Sequence, residues 1–410
     1  MKSIDNSVKL KKFKIRLAFI VVLIVLFLAV FWLLKPSDKP KIVLTIKNIN
    51  IPGKLNLEIP KNDKIYAIGT VSDGILIKRN ASKEWPLASL TKIMTAYIVL
   101  KSHPLKEGEN GPKVRITRED VAEYKRFKRE GQSVAKVFNG ESLSERKLVE
   151  GMLIPSANNF AYIIARWDSG STKTFVKEMN KTAYSLNLKS THYVGPAGAK
   201  PGNISNALDQ FTLAKKVMKI KTFRHIVAMP QTFIPKEGIV YNVNYDLGAD
   251  GIQGIKTGTS SRALGNFIFY AVKHNIHILG VLLGVNGRSP LMNALKDAKY
   301  IVKQLFSEFF KEDVVKKGEE IGFLRIDNKQ AKLIAAKTLI ITGYPGLKIR
   351  FSISVDKHIK LPIKAYKKIG YLEVVLNNNI KKQVPIEVLN NISSPSIVDK
   401  IRSIYKLINI

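Results

Sequence analysis

The apolar pattern of this chain is most extreme near its start. Residues 17–34, "LAFIVVLIVLFLAVFWLL", carry no charge, and Lys2, Lys9, Lys11, Lys12, Lys14 and Arg16 precede them. The run exceeds the ~7–15 residues of a cleaved signal core and approaches the ~20 that cross a bilayer. The flank "KPSDKP" offers no small-residue cleavage site. The pattern predicts a transmembrane signal anchor at 17–34, a basic cytoplasmic tail at 1–16, and export of everything after it. A cleaved signal is the alternative, and it too exports the rest of the chain.

After a tether at 35–60 with some strand character, the periodicity changes repeatedly. Alternating apolar residues on both sides of Asp73-Gly74 in "IYAIGTVSDGILIKRN" predict a hairpin. In "PLASLTKIMTAYIVL", residues 86–100, Leu90, Ile93, Met94, Tyr97 and Ile98 recur at helical spacing, and Ala96, Val99 and Leu100 close the circumference, so this helix is expected to be buried. Residues 143–166 predict two helical stretches interrupted by Pro155, and 174–188 an amphipathic helix. Residues 252–285 read as strands with a turn near His274-Asn275, and 292–310 as a closing amphipathic helix. This order predicts an α+β domain over 61–310, with helices packed on an antiparallel sheet. Residues 311–395 alternate between Gly, Pro and Asn turns and predict a small all-β domain. In 396–410, Ile397, Ile401, Ile404, Tyr405 and Ile408 share one helical face, which suits either the β domain or a membrane surface.

Composition narrows the chemistry. The 410 residues include 67 basic and 32 acidic side chains, a net charge of +35 that favours anionic partners. The lysines are dispersed and no nucleic-acid motif is present, so no nucleic-acid partner is expected. With no cysteine there are no disulfides, thiolate metal sites or Cys nucleophile. His274 and His277 form the one histidine pair and have no carboxylate nearby in sequence, so no metal or other cofactor is expected.

Lys92 is the anomaly. It sits in the second turn of the predicted buried helix, three residues after Ser89, where an unpaired charge costs several kcal/mol. A structural ion pair is one explanation; a chemical unit with Ser89 is the other. Two further segments bear on the choice. Ser156, Ala157 and Asn158 form a polar knot between apolar stretches, and Lys256, Thr257, Gly258 and Thr259 stand beside an apolar strand region where Gly258 admits close backbone approach. Each motif alone is common. Their order, spacing and local settings together are specific.

On these residues the chain resembles the penicillin-recognising serine acyltransferases, in which Ser-x-x-Lys opens a buried helix. The segments "DGILIKRNASKEWPLASLTKIMTAYIVL", "LVEGMLIPSANNFAYIIAR", "FVKEMNKTAYSLNLKSTHYVGPAG" and "GIQGIKTGTSSRALGNFIFYA" resemble the D-alanyl-D-alanine carboxypeptidases, the low-molecular-mass penicillin-binding proteins, over roughly residues 60–305. The resemblance implies a β-lactamase/transpeptidase-like domain followed by the β domain. It implies Ser89 as nucleophile, Lys92 as its base and Ser156 as proton relay to the leaving amine. Asn158 would hold the peptide amide, and Thr257 and Thr259 the terminal carboxylate, with Lys256 supplying positive potential. The backbone N–H groups of Ser89 and Thr259 would bind the oxyanion. Arg288 is a further candidate for carboxylate binding, and Arg262 a weaker one. Asn159, where the family usually has Asp, and Ala199, where Leu is common, depart from the pattern and bear on local packing. The expected substrate is the peptidoglycan stem pentapeptide, with β-lactam antibiotics as acylating ligands, and the expected location is the outer face of the cytoplasmic membrane. A D,D-endopeptidase or transpeptidase, a β-lactamase and an inactive wall-binding scaffold are the alternatives.

Overall fold

The computed structural model describes residues 2–33, 40–326, 329–356, 359–377, 381–394 and 396. The predicted apolar span falls in helix α1, Lys2–Leu33, while Leu34 lies outside the described residues. Side chains are described from Phe13 to Leu28, and the large apolar ones there are exposed. Among the described residues no helix is long and apolar enough to cross a membrane.

Two compact units divide the chain, one of residues 51–310 and 342–347, the other of the described parts of 1–50, 311–341 and 348–410. The second unit is built on a seven-stranded sheet in the order Lys41–Leu44, Glu320–Ile326, Lys329–Ala335, Lys381–Val388, Lys368–Val375, Lys348–Val355, Ile49–Asn50. The segment read as a tether thus supplies both edge strands. Its pattern permits this, since Ile42 and Leu44 are half-buried while Lys41 and Val43 face water. The amphipathic helix expected at 396–410 lies outside the described residues except for Ser396.

The first unit is an antiparallel sheet of five strands in the order Ile252–Ser260, Leu264–Lys273, Ile276–Val285, Ile65–Thr70, Gly74–Arg79. Around it stand α2 (Lys92–Ser102), α3 (Arg118–Arg129), α4 (Glu145–Leu153), α5 (Asn158–Ser169), α6 (Thr172–Ser185), α7 (Ala207–Val217), α8 (Lys221–Val227) and α9 (Pro290–Ser307). The central strands are mostly apolar because both faces are covered. Phe267, Phe269, Ile278 and Leu282 pack with Leu295, Ala298 and Val302 of α9. Ile268, Tyr270, Leu279 and Val281 face the larger cluster that holds α2, α4, α5 and α7. Helix α9 starts at Pro290, whose missing N–H costs nothing in a first turn, and ends before the predicted residue 310, where Phe310 begins a strand. His274 and Asn275, with φ of 50° and 62°, make the predicted hairpin turn.

Candidate active site

Three chain segments meet at Ser89, and each is anchored from below. Asn266, on the central strand Leu264–Lys273, donates to the carbonyls of Pro86 (2.9 Å) and Leu87 (3.2 Å) and accepts from the Gly284 N–H (2.9 Å). The Trp85 indole donates to the Ala263 carbonyl at 2.9 Å. These bonds fix the chain just before the short 3₁₀ turn Ala88–Thr91 that runs into α2. Ala88, with φ of 46°, lies in the left-handed region, which few L-residues adopt and which recurs at functional sites. Two glycines make room for this turn. A Cβ on Gly258 would come within 2.9 Å of the Leu87 carbonyl oxygen, and one on Gly198 would run into the Ala88 carbonyl.

Lys92 is fully buried. Its Nζ lies 2.8 Å from Ser89 Oγ, 2.6 Å from Asn158 Oδ1, 3.1 Å from the Ala197 carbonyl oxygen and 3.4 Å from Ser156 Oγ. Asn158 Oδ1 and the Ala197 carbonyl only accept, so they take two N–H groups. A neutral amine then has its lone pair left for the Ser89 hydroxyl. Burial, reinforced by the charge of Lys256, holds Lys92 well below the usual lysine range. Among the described residues no carboxylate is hydrogen-bonded to Lys92, so the ion-pair explanation fails on geometry.

Ser156 occupies the turn between α4 and α5 at φ of 65°. That turn is pinned on both sides: the Ala157 N–H donates to the Gly151 carbonyl (3.0 Å) and the Asn158 N–H to the Ser133 carbonyl (2.8 Å). Asn158 Nδ2 donates to Gln132 Oε1 at 2.7 Å, and Gln132 Nε2 in turn to Glu130 Oε2 at 2.7 Å. Asn159 is buried and pairs with one backbone residue in both senses, accepting from the Ala135 N–H (3.0 Å) and donating to its carbonyl (2.8 Å). An ionised Asp has no N–H to donate there, so the departure from the family pattern has a structural counterpart.

Lys256 is 2% exposed and its Nζ is buried without a hydrogen-bond partner. Burial pushes its pKa down to about 7. Thr257 beside it is buried, and Thr259 is exposed at the strand end. Together Ser89, Ser156, Asn158, Thr257, Gly258 and Thr259 line a cavity of about 390 Å³, which Gln132 also borders. Arg288 does not line it. It is solvent-exposed in the loop before α9, because that loop follows the end of its strand out into water. Arg262 is exposed too.

Several positioning groups were not anticipated: Gln132, the Ala197 carbonyl, Asn203 and Asn266. Asn203 accepts from the Val194 N–H (2.7 Å) and donates to Thr91 Oγ1 (2.9 Å), fastening the segment before Gly198 to the Ser89 turn. Asn266 had a signal, a lone amide in the apolar strand "LGNFIFYAVK". Gln132 had none beyond its polarity. Among the described residues no group of three or more His, Cys, Asp or Glu side chains is placed to hold a metal ion.

Comparison with known proteins follows the same lines. A family model described as D-alanyl-D-alanine carboxypeptidase matches residues 61–287. The carboxypeptidase DacF of Bacillus subtilis is 24% identical over 324 residues, covering 76% of this chain and 81% of that protein. DacC of Escherichia coli is 26% identical over 340 residues, covering 80% and 82%. Among solved structures, penicillin binding protein 5 from Haemophilus influenzae shares the fold with a TM-score of 0.60 at 24% identity, over 83% of this chain and 100% of that one. Penicillin-Binding Protein D2 from Listeria monocytogenes, in its ampicillin-bound form, aligns with a TM-score of 0.51 at 26% identity, over 61% and 99%.

Proposed function

Because this chain belongs to the D-alanyl-D-alanine carboxypeptidase family, we propose that Ser89 is the nucleophile with which it removes the terminal D-alanine of peptidoglycan stem pentapeptides. The chain is a serine-type D-Ala-D-Ala carboxypeptidase, a hydrolase. The assignment of roles rests above all on the fully buried Lys92 amine 2.8 Å from Ser89 Oγ.

Lys92 takes the Ser89 proton as Oγ attacks the carbonyl of the penultimate D-alanine. The oxyanion is held by the backbone N–H groups of Ser89 and Thr259. Collapse breaks the peptide bond, and the departing amine of D-alanine receives a proton through the Ser156 hydroxyl. Water then attacks the ester, gives a proton to Lys92, and frees Ser89. Asn158 holds the substrate amide. Thr257 and Thr259 bind the terminal carboxylate, whose arrival next to Lys256 favours that lysine's charged form. The same acylation by a β-lactam stops at the ester. Labelled penicillin is therefore expected to map to Ser89, and labelling that persists in Ser89→Ala overturns the assignment. Release of free D-alanine from a pentapeptide, rather than a cross-linked product, distinguishes hydrolysis from transpeptidation.

The anchor belongs to the same proposal: residues 17–34 hold the enzyme on the outer face of the cytoplasmic membrane, with the basic residues before them inside. What supports it is the six cations followed by an uncharged run. N-terminal sequencing of the mature protein tests it, and a terminus beyond Leu34 refutes it.

A further inference from the structure

The unit that carries Ser89 has a second cavity, about 550 Å³ in volume, of a different character. Lys106, Arg146, Lys221, Arg224 and His225 line it, with Glu107 the one carboxylate among the lining residues. Its two guanidinium groups are held in place mainly by neutral acceptors. Arg146, 9% exposed, donates from Nε to the Glu109 carbonyl and from Nη2 to the Lys106 carbonyl at 3.1 Å, while Glu150 Oε1 stands 3.9 Å from Nη1. Arg224 donates from Nη1 to the Met218 carbonyl at 2.8 Å. Carbonyls orient a guanidinium without cancelling its charge, and a singly engaged group keeps further N–H donors free. Thr222 Oγ1 donates to the Leu105 carbonyl at 2.6 Å and ties α8 to the opposite wall. Among the described residues Lys106, Lys221 and Arg224 make no ion pair. These three cations converge around a hollow, repel one another and are relieved by an anion.

We propose that this cavity binds an anion of the diphosphate class. Four cations line the cavity with Glu107, and Glu150 stands against Arg146 alone, so two charges stay unmatched; a monoanion answers only one of them, whereas linked phosphates offer both the charge and the paired oxygens that guanidinium forks engage. The site is separate from the catalytic one and touches the elements that build it. Arg146 stands in the first turn of α4, whose end leads into Ser156, and Gln253 of the cavity wall lies three residues before Lys256 on the strand Ile252–Ser260. An occupant therefore braces α4, α8 and that strand together. The anion itself can be free diphosphate or the diphosphate headgroup of a lipid.

The test is titration calorimetry of the full-length protein with inorganic diphosphate at low ionic strength, where screening is weak. One-to-one saturable binding is expected, weakened at least ~10-fold in Lys106→Ala/Lys221→Ala, which removes two of the charge-assisted contacts. That variant should still be labelled by penicillin, which shows that it is folded. The control is Lys173→Ala/Lys177→Ala, two exposed lysines of α6 remote in sequence from the cavity. If the control weakens binding equally, or the cavity variant does not weaken it, the diffuse field of the +35 chain is responsible and the site is refuted. Repeating the titration in phosphatidylcholine liposomes with and without a prenyl diphosphate separates the sources. Weaker diphosphate binding with the prenyl diphosphate present means headgroups occupy the site; equal binding means the anion is soluble.

Discussion

Two cavities in one unit use lysine in opposite ways. At Ser89, Lys92 and Lys256 are sealed from water and their pKa values are lowered, Lys256 to about 7. At the second cavity, Lys106 and Lys221 are exposed, so their ammonium groups are open to water and to a ligand. Desolvation penalises only the charged form, which is why one residue type becomes a base in the first place and an anion receptor in the second. The environments also differ in order. Around Lys92 the neighbouring groups are bonded to one another and to the backbone, from Asn158 through Gln132 to Glu130. Around the second cavity the tips of Lys106 and Lys221 have no partner among the described residues, and an incoming ligand would supply one.

This contrast is most sharply broken by replacing lysine with arginine at both places. Arg keeps the charge but cannot deprotonate in a protein. Lys92→Arg should lose at least ~10²-fold in acylation by labelled penicillin, with circular dichroism confirming the fold. Lys221→Arg should keep diphosphate affinity within a few-fold. A folded Lys92→Arg variant that acylates within a few-fold of the parent would mean that Lys92 acts through its charge alone and that another residue is the base.

Titration gives the next largest effect. Lys92 must be neutral to accept the Ser89 proton, so acylation should rise with pH through the coupled titration of Lys92 and Lys256. The charge of Lys256 is the second cause of the low Lys92 pKa. Lys256→Met should therefore move the acid limb of the acylation profile to higher pH, and an unmoved limb would separate the two lysines. Stability follows from the same shift. Lys256 titrates near 7 when folded and near 10.5 when unfolded, so across that window the unfolded chain binds more protons. Urea-unfolding stability of the parent should rise with pH from about 7 to 10.5, and the variant should lose part of that rise.

A smaller effect tests the wall between the catalytic turn and its neighbouring loop. Asn159→Asp removes the donor to the Ala135 carbonyl and leaves that buried oxygen unsatisfied. The expected loss is about 1–3 kcal/mol in urea unfolding. Least of all, Arg288→Ala should leave acylation within about 2-fold, as expected for a group that does not line the cavity; a large loss would return it to the site.

The legible part of this protein was local. Ser89 and Lys92 are one helical turn apart, so their pairing could be read from spacing, and the buried helix followed from apolar residues around its full circumference. The hairpin at Asp73-Gly74 and the turn at His274-Asn275 were equally readable, because alternation and turn chemistry act over a few residues. Membership of the site from Ser156, Asn158 and Lys256 came from motif order rather than from geometry. Only the tertiary structure could show that Asn158 and the Ala197 carbonyl occupy two of the Lys92 hydrogens, since those contacts span 66 and 105 residues. It also decided that Arg288 stays in water, that residues 41–44 and 49–50 are the edge strands of a sheet, and that Gln132 props Asn158. The physical reason is that propensity and periodicity are set by neighbours along the chain. The protonation of a lysine is set by the burial and charges that folding brings around it, and no local pattern encodes them.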